Sequence, residues 1–416
     1  MQRALCSFAV GLLLIACEPS DSSPDDAAAD PRDAGVPIGD AGSTSDGGPA
    51  DAGAAGDGAA GDGGGADAGS SVLPGVLTIA PLPVEPVPTG RVTMAIGTGN
   101  GRIVTVCDDG ARVVQDLIVD PTADDHSEYA AAPGAAFGND VFVVATGHGQ
   151  PGHILRSTDG RAWDDLADDA FHWADGSTGR PGGGIALVYF DGARFVMIAS
   201  RHVFFSDDGA EWTDQGVEHP RGYFHWRNDF FADPLHRLFV RGENVDTTVQ
   251  WLSRSDDDGV TLAPITEADG WTFECAVGGA VFAHGVLLAP GSASQYCMSL
   301  DGGVTWSTVP VEMGVELGGF HATDTGFVSF RGQRRFLQRS TDAMTWTQET
   351  IDNGYRHATG GRAPQGYYLN ASHAGTELWR SDDSVAWTPL DYPRDTTIPA
   401  LKHFAFGHAD ASACDP

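Results

Sequence analysis

His321, His357 and His403 are the residues whose type and spacing best suit chemistry. His321-Ala322-Thr323 and His357-Ala358-Thr359 repeat one tripeptide, and each of the three histidines is read as the start of a strand. Aligning the starts of seven such stretches gives a column of Gly134, Gly184, Asn228, Glu274, His321, His357 and His403. Three imidazoles and a carboxylate meeting on one axis would form a ligand set suited to Zn, Fe or Cu. The same residues suit a plainer role, lining a wet tunnel and bonding carbonyls or water. Reach separates the two, because a metal needs its nitrogens within ~2.1 Å of one point.

Aromatic residues gather just before several of these stretches, in Phe171-His172-Trp173, Tyr223-Phe224-His225-Trp226-Arg227, Trp271 and Tyr355-Arg356. Trp173, Trp226, Arg227, Tyr355 and Arg356 are therefore candidate ligand-binding residues, forming a platform for sugar stacking or peptide capture. Packing of the connections onto the scaffold is the competing use. Arg227, Arg356 and Arg362, cations on an acidic protein, favour an anionic ligand.

The elements that must position these residues repeat. Ser157-Thr158-Asp159-Gly160 leads to Trp163, Ser206-Asp207-Asp208-Gly209 to Trp212, and Ser299-Leu300-Asp301-Gly302-Gly303 to Trp306. Ser340-Thr341-Asp342 leads to Trp346 and Ser381-Asp382-Asp383 to Trp387; Ser255-Asp256-Asp257-Asp258-Gly259 has Leu262 at the tryptophan position. A worn copy, Cys107-Asp108-Asp109-Gly110, leads to Val113. Successive copies start 50, 49, 49, 44, 41 and 41 residues apart, about the length of one four-stranded propeller blade.

These segments resemble the Asp-box, or BNR repeat, of sialidases, sortilin-type receptors and bacterial surface propellers. The resemblance spans essentially residues 100–390 and implies an all-β, seven-bladed β-propeller, with six blades as the alternative if the worn copy is illusory. It implies Asp-box turns between third and fourth strands, and it says little about activity, because the box lies away from the family's active sites. Sialidases pair an arginine trio with an Asp acid and a Tyr–Glu nucleophile. Here Arg102-Ile103-Val104 lacks the proline of the family's Arg-Ile-Pro, and no spacing compels Arg227, Arg356, Tyr355 and Glu274 into those roles.

The clearest repeat reads as strands at 185–190, 194–199 and 203–205. At the termini, 92–97 and 103–106 behave as second and third strands without a first, while 403–407 looks like a lone first strand. The two ends are therefore expected to complete one blade, removing an exposed sheet edge. A Cys107–Cys414 disulfide would lock that closure, since both cysteines fall on one face. The same register sets Cys275 and Cys297 two strands apart, ~9–10 Å, beyond disulfide reach.

Residues 1–16 read as a signal peptide, with an apolar run too short to span a bilayer, for which ~20 residues are needed. The run ends Leu14-Ile15-Ala16-Cys17, which resembles a bacterial lipobox, so lipidation of Cys17 is expected. Residues 17–72 follow as a tether: 18–72 hold twelve acidic residues, one Arg and no aromatic, too little apolar surface to offset ordering entropy. The folded domain is assigned to 73–416. The net charge of -33 repels phosphate backbones and excludes nucleic-acid binding. Asp124-Asp125-His126 and Asp256-Asp257-Asp258 read as solvated turns rather than cation sites.

Together these features predict a lipid-anchored, exported monomer on the outer membrane or surface of a Gram-negative bacterium. Its expected role is non-catalytic binding of a glycan or protein at the loop-built mouth of the ring. The alternative is an enzyme, either metal-dependent at the His/Glu column or a sialidase-like glycoside hydrolase.

Overall fold

The structure, a computed structural model, describes residues 86–415 except for internal segments, the longest being 120–133, 147–152, 220–228, 244–249, 312–318, 331–335, 351–356, 373–377 and 391–400. The expected signal peptide, Cys17 and tether lie outside the described residues. Among those residues no helix is long and apolar enough to cross a membrane.

The described residues form seven sheets, numbered I–VII here in chain order. Sheet I orders His403–Asp410, Arg91–Gly99, Arg102–Cys107 and Arg112–Ile118. Sheet II comprises Gly134–Gly138, Val141–Thr146, His153–Ser157 and Asp164–Asp165; sheet III comprises Ile185–Phe190, Phe195–Ala199, His202–Ser206 and Trp212–Glu218. Sheet IV runs Asp229–Ala232, Leu238–Glu243, Gln250–Ser255 and Ala263–Ile265, and sheet V runs Val281–Ala283, Val286–Ala289, Gln295–Ser299 and Ser307–Pro310. Sheet VI is Gly319–Thr323, Gly326–Phe330, Phe336–Ser340 and Thr347–Thr350, and sheet VII is His357–Arg362, Tyr368–Ser372, Leu378–Ser381 and Thr388–Pro389. Each is an antiparallel meander; sheet III gains a fifth strand, Phe171–His172, parallel to Trp212–Glu218.

The turn after each third strand explains both the repeat and its period. In sheets II–VII that strand ends in a serine whose hydroxyl donates to Oδ1 of the aspartate two residues on, at 2.7–3.3 Å. The same Oδ1 accepts backbone N–H groups further along, for example from Arg161 and Ala162 onto Asp159 and from Ala210 and Glu211 onto Asp208. This satisfies the donors of a tight turn that the strands alone would leave unpaired. Those N–H bonds, with the serine hydroxyl, outweigh burial and hold all six turn carboxyls below the ordinary range. The residue after the turn aspartate has a left-handed backbone at Gly160, Gly209, Asp258, Gly302, Ala343 and Ser384.

These turns also join each sheet to the one before it. Thr105 Oγ1 donates to Gly160 O at 2.6 Å, Gly209 packs on Val143, and the Tyr189 hydroxyl donates to Asp258 at 3.1 Å. Gly303 packs on Phe239, the Tyr296 hydroxyl donates to Ala343 O, and Arg339 Nη2 donates to Ser384 O at 3.0 Å. Arg380 Nε then donates to Asp108 Oδ1 at 2.7 Å, returning from sheet VII to sheet I. The apolar core is divided the same way, with buried clusters between neighbouring sheets, such as Phe142 with Met94, and Leu378 with Val104. A circle of packed antiparallel meanders is a β-propeller.

Sheet I is completed from both ends of the described chain: Arg91–Gly99 pairs with His403–Asp410 from Arg91↔Asp410 to Thr98↔His403. Cys107 ends its third strand, in the seat held by serine in the other six sheets, and forms a disulfide with Cys414 at a Cα–Cα distance of 5.9 Å. A second disulfide joins Cys275 and Cys297, also at 5.9 Å, which corrects the expectation that this pair was out of reach. The inner strand of sheet V starts only at Val281. The Val277–Ala280 turn, with Gly279 at φ +81°, lies before it, and Ala276 N donates to Pro290 O at the far end of the second strand. Cys275 thus sits beside the Ala289↔Cys297 pair instead of within a regular first strand.

Candidate functional site

The ring has two unlike faces. First-to-second and third-to-fourth connections emerge on one face, which carries the Ser-x-Asp turns. Fourth-to-first connections emerge on the other, the mouth. Most are long, with 15 residues between Ile118 and Gly134, 10 between Glu218 and Asp229, 15 between Ile265 and Val281, and 13 between Pro389 and His403, while eight separate Pro310 from Gly319 and six separate Thr350 from His357. First-to-second turns are as short as two residues, at 139–140, 284–285 and 324–325.

His357 and His403 each open an inner strand, as the column requires, whereas His321 is the third residue of its strand, opposite Val328. His403 is exposed and opposite Thr98. His321 keeps only part of its surface in solvent, and desolvation of its ring holds the pKa down at about 4, so it is neutral at pH 7. Glu274, Trp226, Arg227, Tyr355 and Arg356 lie outside the described residues, as do Gly184 and Asn228.

Two aromatic candidates are placed away from the axis. Phe171–His172 lies outboard of the fourth strand of sheet III, with His172 Nε2 2.7 Å from Glu211 Oε2 in the turn. Trp173 follows it, donating Nε1 to Gly179 O at 2.7 Å and packing edge-on against His202 and Phe204. Trp271 is buried against Trp306, with ring centroids 4.9 Å apart. Trp173 and Trp271 therefore pack the scaffold, the use that competed with a binding platform. Arg362 is tied to Asp324.

A cluster lies on the turn face between sheets III and IV, and it includes Asp258, which is buried and not part of a solvated turn as its sequence suggested. Asp191, His236 and Asp258 each offer a ligand atom, and these atoms lie within 4.8 Å of one another. Asp191 begins the first hairpin turn of sheet III, His236 lies in that of sheet IV, and Asp258 occupies the left-handed seat of the turn after Ser255. His236 Nδ1 is 2.9 Å from Asp258 Oδ2 and 3.4 Å from Asp191 Oδ2. Arg194 reaches both carboxylates, Nε at 3.2 Å from Asp191 Oδ2 and Nη2 at 3.5 Å from Asp258 Oδ2, while its guanidinium stacks 3.5 Å from the Phe205 centroid.

The environments set the charges apart. Burial, reinforced by the Asp191 charge, raises the Asp258 carboxyl. Asp191 is also penalised by burial, but N–H bonds from Arg194 and Ala193, with His236 and Arg194 nearby, bring it below the ordinary range. The hydrogen bond to Asp258 raises His236. Burial, followed by the Asp258 charge, raises Tyr189 well above its usual value, so it remains a hydroxyl donor. The signal was present in the sequence: the third strand of sheet IV is followed by one more acidic residue than that of sheet III, placing Asp258 where Gly209 stands.

No protein-family model matches the chain, and no curated protein matches it. Among solved structures, YCF48 bound to D1 peptide is similar with a TM-score of 0.47 at 15% identity, over 74% of this chain and 94% of that one. Apo AztD from Citrobacter koseri is similar with a TM-score of 0.46 at 7% identity, over 76% and 98%. The GH74 xyloglucanase from Xanthomonas campestris is similar with a TM-score of 0.46 at 15% identity, over 80% of this chain and 55% of that one. No activity or partner is carried over from these likenesses.

Proposed function

We propose that the chain is a seven-bladed propeller of the Asp-box type, lipid-anchored through Cys17 at the outer membrane or surface of a Gram-negative bacterium. Its mature form is a monomer that binds a glycan or protein segment at the mouth without catalysis. One observation carries the reading: connections on the turn face are at most seven residues long and the serine turns among them are internally bonded, while five of the seven fourth-to-first connections at the mouth run to ten residues or more. Connections held by a rigid scaffold are where binding surfaces concentrate. Trp226 and Arg227 fall in the ten-residue connection before Asp229, and Tyr355 and Arg356 in the six-residue connection before His357; their aromatic and guanidinium groups suit an anionic sugar or acidic peptide.

Glycan and peptide arrays probed with the mature chain test this. Retention of an anionic class by the wild type, lost in Tyr355→Ala and Arg356→Ala with unchanged melting temperature, is the expected result. Turnover of a fluorogenic sugar panel by the wild type would replace binding with the glycosidase alternative. Tag-free protein carrying a transition metal that His357→Ala removes would replace it with metal-dependent chemistry at the column.

A further inference from the structure

The geometry points to a divalent transition-metal site of the zinc class on the turn face, held by Asp191 Oδ2, Asp258 Oδ2 and His236 Nδ1 and clipping sheet III to sheet IV.

Each carboxylate has its Oδ1 held by donors outside the pair and its Oδ2 shared between His236 and Arg194. Asp191 Oδ1 accepts from Ala193 N at 2.7 Å and Arg194 N at 2.8 Å, and Asp258 Oδ1 accepts from the Tyr189 hydroxyl at 3.1 Å. Both Oδ2 atoms are thereby turned toward the His236 ring, as outer hydrogen bonds orient ligands in metal centres. An ion with tetrahedral bonds of about 2.1 Å needs its ligand atoms roughly 3.4 Å apart. His236 Nδ1 stands 3.4 Å from Asp191 Oδ2 and 2.9 Å from Asp258 Oδ2, and the three ligand atoms lie within 4.8 Å of one another.

The charge arrangement asks for a cation. Two carboxylates, 0% and 1% exposed at the side chain, face each other here. Arg194 offsets them with long contacts, against 2.7 Å for the Arg237 Nε–Asp233 Oδ2 pair in the next hairpin. A divalent ion would take over that role, and Arg194 would keep its seat on Phe205. His236 is 47% exposed, leaving the ion a route from solvent and a fourth position for water.

The backbone shows the same commitment. The left-handed seat taken by Asp258 holds glycine, alanine or serine in the other five turns, and His236 is also left-handed. Such conformations cost about 1 kcal/mol for residues with side chains. Two carboxylate oxygens and one imidazole nitrogen favour a borderline ion over calcium, which takes six to eight oxygens, or copper(I), which prefers sulfur. The site lies on the face opposite the mouth, so its test is independent of the ligand reading above.

The experiment is zinc titration by calorimetry, with elemental analysis, on the tag-free full chain with its disulfides intact. One equivalent of zinc and a higher melting temperature are expected for the wild type. Asp258→Gly restores the residue the turn carries in sheets II and III, so the fold persists while that equivalent is lost; His236→Asn, which removes the nitrogen ligand itself, weakens binding by at least the ~10–100-fold typical of losing an outer partner. Arg194→Gln, which removes the competing cation, tightens it, and His357→Ala leaves it unchanged. Zinc affinity should fall as pH drops from 7.5 to 5.5, because protons compete with the ion for the His236 ring, whose pKa the Asp258 hydrogen bond raises. Absence of zinc uptake by the wild type overturns the proposal, and so does an equivalent that survives in Asp258→Gly.

Discussion

Sheet I and the other six sheets solve one problem by different means. In sheets II–VII the third strand ends in a serine that organises its own turn through an aspartate and backbone N–H groups. In sheet I the same seat holds Cys107, and the bond made there is a disulfide to a residue 307 positions away. The difference separates local from global closure. Six turns can form as their own strands form, while the seventh requires the remote end of the chain. A hydrogen-bonded turn stabilises by satisfying buried donors, whereas a long-range disulfide stabilises mainly by restricting the unfolded chain.

The largest effect should come from opening the covalent closure. Cys414→Ala is expected to lower stability by about 4 kcal/mol in urea unfolding, since the loop it releases is very long. Exchange protection should then be lost first along the Arg91–Gly99 and His403–Asp410 pairing. A smaller loss, about 2 kcal/mol, is expected for Ser206→Ala, which leaves the buried Gly209 N–H without its acceptor. If the two closures are equivalent devices, one should convert into the other. Cys107→Ser writes Ser-Asp-Asp-Gly, the sequence at 206–209, into sheet I. In a Cys414→Ala background it should be about 1 kcal/mol more stable than Cys107→Ala.

The smallest effects per residue are those of pH. The six turn aspartates titrate below their unfolded values, so their contribution is present above about pH 4 and disappears as pH falls through the lower folded values. His321 has a folded pKa of about 4, below its unfolded 6.5. Its contribution is complete above 6.5 and is lost as pH falls toward 4. Thermal melts of His321→Asn should therefore lack part of the wild-type decline in that window while keeping the steeper one below it.

Much of this architecture was legible because it is local. The Ser-x-Asp turns and the apolar run at 185–190, closed by the turn at Asp191-Gly192, fix strand edges within a few residues. Closure of sheet I was legible for a related reason, since an unpaired first strand at 403 needs the second strand at 91–99. The register of sheet V was not. The Val277–Ala280 turn lies before its inner strand, and no hydrophobic periodicity reports where such a turn falls. The column took its sheet V position from a strand start at Glu274, whereas the inner strand starts at Val281; Glu274 itself lies outside the described residues. Trp173 was misplaced because a two-strand parallel addition, Phe171–His172 on the outer edge, has no signature separable from a connection. The Asp191–His236–Asp258 cluster depends on contacts between neighbouring sheets, and each residue alone reads as an ordinary turn.

The order in which the chain is made gives the Cys107–Cys414 bond a further meaning. Arg91–Gly99 is synthesised long before its inner partner His403–Asp410, so through most of translation it has a bare edge and Cys107 has no mate. A polypeptide cut short between 390 and 402 keeps six serine turns yet has no means of shutting the circle. Closing the ring thus waits for the His403–Asp410 strand, and its seal forms only where thiols can be oxidised.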